Sequence, residues 1–332
     1  MSCAQFRGLL NYQLQITRLQ IPMNGVLIID KPQGLTSHDV VNRVRRILGE
    51  RSVGHLGTLD PSATGVLPLV IGSFTRLAQF YAHSEKTYEG VIRFGFSTDT
   101  YDADGEATST PQDVTLQASE VAALAVEFKG TLEQIPPPFS AKKIGGVPAY
   151  KLARKQREVE LKPVRVEIKE FAILDVAGDR VTFRAHVGSG TYLRSIAHDM
   201  GKKVGCGAHL AALRRTSVAE FVIEDARRLE ELESAMRGGR AEDLFVHPRK
   251  LAPDLPGVTA TEENVALIRT GRAVNLPEMS RAPLVKVFYG QRELIAIATR
   301  VAGTLFHARI VLTSGVEKVS PRRQPANAKP AP

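Results

Sequence analysis

The segment Gly54-His55-Leu56-Gly57-Thr58-Leu59-Asp60-Pro61-Ser62-Ala63-Thr64-Gly65 gathers three glycines, one imidazole and one carboxylate where no helical or strand period runs. Glycine lets a backbone approach a ligand closely, and loops on a rigid scaffold are where reactive side chains usually sit. Asp60 and His55 are therefore the first candidates for chemistry. Each also has a plain structural reading, because Asp-Pro commonly starts a turn and a lone histidine is more often packed or solvated. Competing chemistries leave no trace: there is no Gly-x-x-x-x-Gly-Lys phosphate loop, His-Glu-x-x-His or Cys-x-x-Cys. Gly188-Ser189-Gly190 lies at a strand-to-helix turn but lacks the spacing of a nucleophile elbow. No metal and no cofactor are indicated.

A second cluster is basic. Lys142, Lys143, Lys151, Arg154, Lys155, Arg157, Lys162 and Arg165 face only Glu158 and Glu160, with Gly145-Gly146 and Tyr150 interleaved. Surfaces that track a nucleic-acid backbone combine cations with flexible and planar residues, although a solvated charged face has the same composition. Arg214-Arg215 forms a further basic pair. The chain carries 44 Lys plus Arg against 35 Asp plus Glu, a net charge of +9, which suits a polyanionic partner without naming one.

The elements that must position these residues follow from periodicity. Gly25 to Ile29 reads as a buried strand ended by a turn at Asp30 to Gly34. Val40, Val41, Val44, Ile47 and Leu48 predict a helix from Ser37, capped by Ser37 and ended by Gly49. Arg51 to Thr64 is then a loop, and Gly65 to Ile71 a strand. Further strands are expected at Tyr88 to Phe96, at Val164 to Ile173 with a bulge, and at Val181 to Val187; helices are expected at Ala118 to Phe128 and Thr191 to Val204. Too many strands join without a helix for a doubly wound sheet, so the fold class expected is α+β with a mixed, mainly antiparallel sheet.

Pro248 to Pro256 looks like a boundary, and beyond it a helix (Glu262 to Thr270) and three strand-like runs (Leu284 to Phe288, Leu294 to Thr299, Leu305 to Leu312) predict a small β-rich domain. The expected division is an extension over 1–23, a catalytic domain over 24–250, a β-rich domain over 255–316 and a disordered tail over 317–332. The extension has arginines and no acid, as a transit peptide would, but Met23 directly precedes the first strand and is the expected initiator. With Cys3 and Cys206 alone and no apolar run of about 20 residues, the expectation is a soluble, cytoplasmic protein without a disulfide framework or membrane association.

In combination these segments resemble the TruB family of tRNA pseudouridine synthases. The resemblance runs through Gly25 to Gly34, Gly54 to Leu67, Lys86-Thr87-Tyr88, Pro137 to Lys143, Gly188 to Arg194 and Gly205 to Arg215, in the family's order. Phe139 stands where many members have Tyr. The resemblance implies that Asp60 is the nucleophile and Arg194 its ion-pair partner, that Tyr88 stacks on the base and assists the last proton removal, and that Tyr192 and Leu213 line the uracil pocket. It further implies that His55 wedges into the T-loop and that Lys31 supports the site near Pro32. The terminal domain resembles the PUA-like RNA-binding fold weakly. The implied substrate is the T-arm stem-loop of tRNA, its uridine at conventional position 55 converted without a cofactor by a monomer. Lys142, Lys143, Lys151, Arg154, Lys155, Arg214 and Arg215 would meet RNA phosphates, so binding should weaken with salt. Two other classes compete: a non-catalytic RNA-binding protein, which would not need Asp60 paired with Arg194, and a nucleosidase, which normally wants two carboxylates.

Overall fold

The computed structural model describes residues 23–140, 142–144, 146–148 and 161–312. The expected N-terminal extension up to residue 22 and the expected tail lie outside the described residues. The first strand, β1 (Gly25–Lys31), is almost wholly buried and runs two residues past its expected end. Helix α1 (Ser37–Leu48) follows, burying Val40, Val41, Val44 and Leu48 on one face and ending at Gly49, whose φ of 66° is the left-handed conformation that glycine adopts without steric cost. Its cap is Thr36 and not Ser37. Thr36 is extended and exchanges side-chain bonds with Asp39 in a capping box, while the Ser37 hydroxyl donates to Leu59 O (3.1 Å) and accepts from Leu59 N (2.8 Å). The residue expected to cap thus pins the loop that carries Asp60.

That loop contains a short strand the period did not reveal, β2 (Val53–His55), which pairs antiparallel with β3 (Thr64–Ile71). Then come β4 (Lys86–Phe94), α2 (Ala118–Val126), β5 (Gly130–Gln134), and a hairpin of two-residue strands, β6 (Lys143–Ile144) and β7 (Val147–Pro148). They are followed by β8 (Val164–Ala177), β9 (Arg180–Val187), α3 (Leu193–Val204), β10 (Ala208–Val218), β11 (Phe221–Val222) and α4 (Leu229–Arg237). The large sheet runs β1-β3-β10-β4-β9-β8-β5, with β2 on β3 and β11 on β10. Its pairs are antiparallel except β10 on β3. The expected irregularity in β8 is present as register shifts after Ile168 and after Ile173.

The parallel pair β3–β10 forms the middle of the scaffold. Thr64 and Gly65 lie beside Arg214 and Arg215 there, and a Cβ on Gly65 would come within 2.2 Å of Arg215 O, so only glycine fits at that crossing. One apolar core packs α2 and α3 on β4, β8 and β9; another packs α1 and α4 on β1 and β3.

A second sheet is made by β12 (Gly257–Thr259), β13 (Val274–Asn275), β14 (Leu284–Tyr289), β15 (Glu293–Ala302) and β16 (Leu305–Val311), in the order β12-β14-β15-β16-β13, with α5 (Glu262–Arg269) beside it. Phe288, Leu294, Ile297, Ile310 and Leu312 from this sheet share a core with Val26, Ile28, Phe74, Leu77 and Tyr81. The expected class, α+β with mainly antiparallel sheets and a β-rich C-terminal part, matches this architecture. Among the described residues no helix is long and apolar enough to cross a membrane.

Candidate active site

Asp60 lies between β2 and β3, and Arg194 on the first turn of α3. Their side chains meet at Oδ2 and Nη2, 3.1 Å apart. Arg194 is buried, and both of its terminal nitrogens are engaged. Nη1 donates to Thr100 O (3.1 Å) and Asp102 Oδ2 (3.2 Å), and Nη2 donates to Phe139 O (3.1 Å). The Phe139 contribution comes from its backbone carbonyl and does not depend on the nature of its side chain.

Asp60 opens onto a cavity of about 320 Å³ lined by Gly57 to Asp60, Lys86, Tyr88, Gly188 to Arg194 and Leu213. Its side chain is 42% accessible and forms part of the cavity wall. Burial raises its pKa above the ordinary carboxylate value; Arg194 opposes this, and the charge on Asp102 adds to it. A neighbouring guanidinium favours the ionised carboxylate, but here desolvation outweighs it.

The cavity walls are set by strand pairing. Tyr88 in β4 lies between Ala185 of β9 and Arg215 of β10, and Leu213 in β10 stands opposite Gly90. Tyr192 is fixed by the Gln134 amide, whose Oε1 accepts from Tyr192 N (2.8 Å) and whose Nε2 donates to Tyr192 O (3.0 Å). Burial raises the Tyr192 phenol pKa. Asp60, Arg194, Tyr88, Tyr192 and Leu213, singled out in the sequence, thus line one cavity.

Other expected site residues fall elsewhere. Lys31 is fully enclosed and does not line the cavity; its ammonium donates to Pro32 O (2.9 Å), Leu35 O (2.6 Å) and Pro61 O (3.2 Å). It supports the loop after Asp60 and is not a substrate contact, because all its polar reach is spent on carbonyls. Burial lowers its pKa to about 8, although Asp60 pulls the other way. His55 is partly buried outside the cavity lining, with burial, then Arg215, lowering its pKa.

Arg215 is 0% exposed, so it cannot be the RNA-backbone contact expected of it. Nε donates to Val66 O (2.8 Å), Nη1 to Thr58 O (3.3 Å) and Nη2 to Gly57 O (3.0 Å), tying the loop that carries Asp60 to β3. Arg214 is engaged in a two-pronged pair with Asp30 (3.0 and 2.8 Å) yet keeps 43% of its side chain accessible. Lys142 is half-buried. Lys143 lies in β6, and Lys151, Arg154 and Lys155, with Tyr150 and Arg157, lie outside the described residues.

Three site residues escaped the sequence reading. Asp102 anchors Arg194; its only signal was a crowding of aspartates in Thr98-Asp99-Thr100-Tyr101-Asp102-Ala103-Asp104-Gly105, which also reads as a turn. Lys86 lines the cavity with a pKa lowered to about 8, mainly by burial and secondarily by Arg215. Gln134, which holds Tyr192, carried no signal at all.

Comparison with known proteins bears on what this arrangement does. Residues 45–193 match the family model described as TruB family pseudouridylate synthase (N terminal domain), and residues 194–248 match the one described as tRNA pseudouridylate synthase B C-terminal domain. The chain is 49% identical over 293 residues to the tRNA pseudouridine synthase B of Solibacter usitatus, covering 87% of this chain and 100% of that protein. It is 43% identical over 249 residues to the protein of that name from Syntrophotalea carbinolica (75% and 81%) and 40% identical over 283 residues to one from Bacillus cereus (83% and 92%). Among solved structures it resembles a chain of a Cbf5-Nop10-Gar1 complex, with a TM-score of 0.64, 25% identity, and coverage of 87% of this chain and 85% of that one.

Proposed function

Since this chain belongs to the TruB family of tRNA pseudouridine synthases, we propose that it isomerises the T-loop uridine of tRNA, conventional position 55, with Asp60 as the nucleophile. The single observation that carries the reading is the Asp60–Arg194 pair at the wall of a cavity of nucleoside-accommodating size.

Conversion of uridine to pseudouridine breaks the C1′–N1 bond, forms C1′–C5, moves a proton onto N1 and releases one from C5. Atoms and electrons balance within the substrate. A stacked base cannot reach Asp60, so the nucleotide leaves the stack and enters the cavity. There Tyr88 and Tyr192 offer rings and Leu213 an apolar wall. Ionised Asp60 then adds to uracil C6, attacks C1′, or takes the C2′ proton, the first two being covalent catalysis. Arg194, clamped on its far side, keeps the carboxylate oriented without following it. Tyr88 assists the proton's departure from C5. His55 fills the gap in the loop, and Lys142, Arg214, the basic segment and the β-rich C-terminal sheet, read as PUA-like, hold the RNA.

Pseudouridine mapping on a T-arm stem-loop transcript, incubated with the wild-type chain and with Asp60→Asn, tests this. Conversion at the T-loop uridine by wild type alone is expected. Salt-sensitive binding without conversion by either would make the chain an RNA-binding protein.

A further inference from the structure

Thr100 O and Asp102 Oδ2 both approach the same nitrogen, Nη1 of Arg194, at 3.1 and 3.2 Å. Between these two groups a single residue turns the chain sharply. Tyr101 does so, with a φ of 65°, a left-handed conformation that a bulky side chain adopts only when its surroundings hold it there.

The Tyr101 ring stacks on the His198 imidazole with centroids 3.8 Å apart and an interplanar angle of 10°. His198 follows Arg194 by four residues on α3, so both lie on one face of that helix, a turn apart. The backbone at Tyr101 and just after it is tied to β10 by Leu210 N donating to Tyr101 O (3.0 Å) and Ala103 N donating to Leu210 O (3.1 Å). Neither ring lines the cavity.

We infer that the Tyr101–His198 stack is a positioning element: it keeps Tyr101 left-handed, and thereby keeps Thr100 and Asp102 on the Arg194 nitrogen remote from Asp60. Tyr101 and His198 are positioning residues that act through Arg194. The inference rests on the reading of Asp60 and Arg194 as the reacting pair.

Glycine adopts positive φ freely, so Tyr101→Gly removes the ring while leaving the turn available. Single-turnover conversion of the stem-loop and its Kd for RNA are measured for Tyr101→Gly, His198→Ala, the double variant and Tyr101→Phe. The two single variants are expected to slow conversion about 3- to 10-fold, the range of an aromatic pair, with Kd unchanged. The double variant should be no slower than either single one, and Tyr101→Phe, which keeps a ring, should stay within about twofold of wild type. If Tyr101→Gly does not fold, His198→Ala carries the same expectation, because it leaves the loop's own sequence intact. Wild-type conversion rates for the ring-deleted variants, or a loss explained wholly by the unfolded fraction, overturn the inference. Asp60→Asn run in parallel separates the two readings: activity there overturns the catalytic assignment itself.

Discussion

Arg194 and Asp102 form an ion pair of 3.2 Å in which both side chains are more than nine-tenths withdrawn from solvent, whereas Asp60, on the opposite edge of the same guanidinium, faces the cavity. One arginine therefore joins a buried carboxylate to one that opens onto the cavity. The buried end supplies rigidity, and the cavity end is free to change its bonding during a reaction.

Loss of the buried carboxylate should disturb both orientation and electrostatics. Asp102→Asn is expected to lower kcat roughly 10- to 100-fold, as misplacement of a catalytic group does. Because the Asp102 charge raises the Asp60 pKa, the acid limb of kcat/KM should move to lower pH in the same variant. An unchanged limb would mean that the two carboxylates do not communicate through Arg194.

Asp60 has a pKa raised above its ordinary 3.8, and its ionised form is the proposed reactant. Activity of the wild type should therefore fall as pH drops through that raised value, above the range of a free aspartate. An ionised carboxylate in a desolvated site costs stability, so Asp60→Asn should be inactive yet melt no lower than wild type at neutral pH. A lower melting temperature would show Asp60 to be structural.

Lys31 offers a linkage test. Its folded pKa is lowered from 10.5 to about 8, so between these values the unfolded chain holds a proton that the folded one has released. Stability contributed through this group rises with pH across that window and is lowest below it. The gap in unfolding free energy between wild type and Lys31→Met should widen from pH 8 to 10.5. A constant gap would place the lysine in a better-solvated setting than its three carbonyl bonds suggest.

Arg215 should behave as a structural residue. Arg215→Met leaves the carbonyls of Gly57, Thr58 and Val66 without this donor, at a cost of about 1–3 kcal/mol for each that stays unsatisfied. Denaturant unfolding should show a loss of at least a few kcal/mol, and Arg215→Lys should recover only part, since an ammonium lacks the planar fork. Salt dependence of RNA binding by the folded fraction should be unaltered; a shallower slope would restore Arg215 as a phosphate contact.

Much of the fold was legible because it rests on local periodicity. The alternation of Val181, Phe183, Ala185 and Val187 is that of β9, and Val40, Val41, Val44 and Leu48 are the buried stripe of α1. The strand β2 was missed because three residues with a glycine at their centre are too few to show a period. The cap is Thr36 and not the expected Ser37, because Asp39, three residues after Thr36, completes the reciprocal bonds.

The sequence by itself pointed to the loop that carries Asp60, to its pairing with Arg194, and to the aromatic and apolar residues of the cavity, because these residue types stand in a fixed order that the resemblance makes readable. Only the tertiary structure decided which charges reach the cavity or the surface and which are enclosed in the scaffold. Arg214 and Arg215 are neighbours in sequence, but a strand sends adjacent side chains to opposite faces, so one meets Asp30 near the surface and the other is swallowed among backbone carbonyls. Asp102 likewise looks like a turn residue until the chain brings it, 92 positions away, onto Arg194. Burial and long-range partners are properties of packing, and no local pattern of residues encodes them.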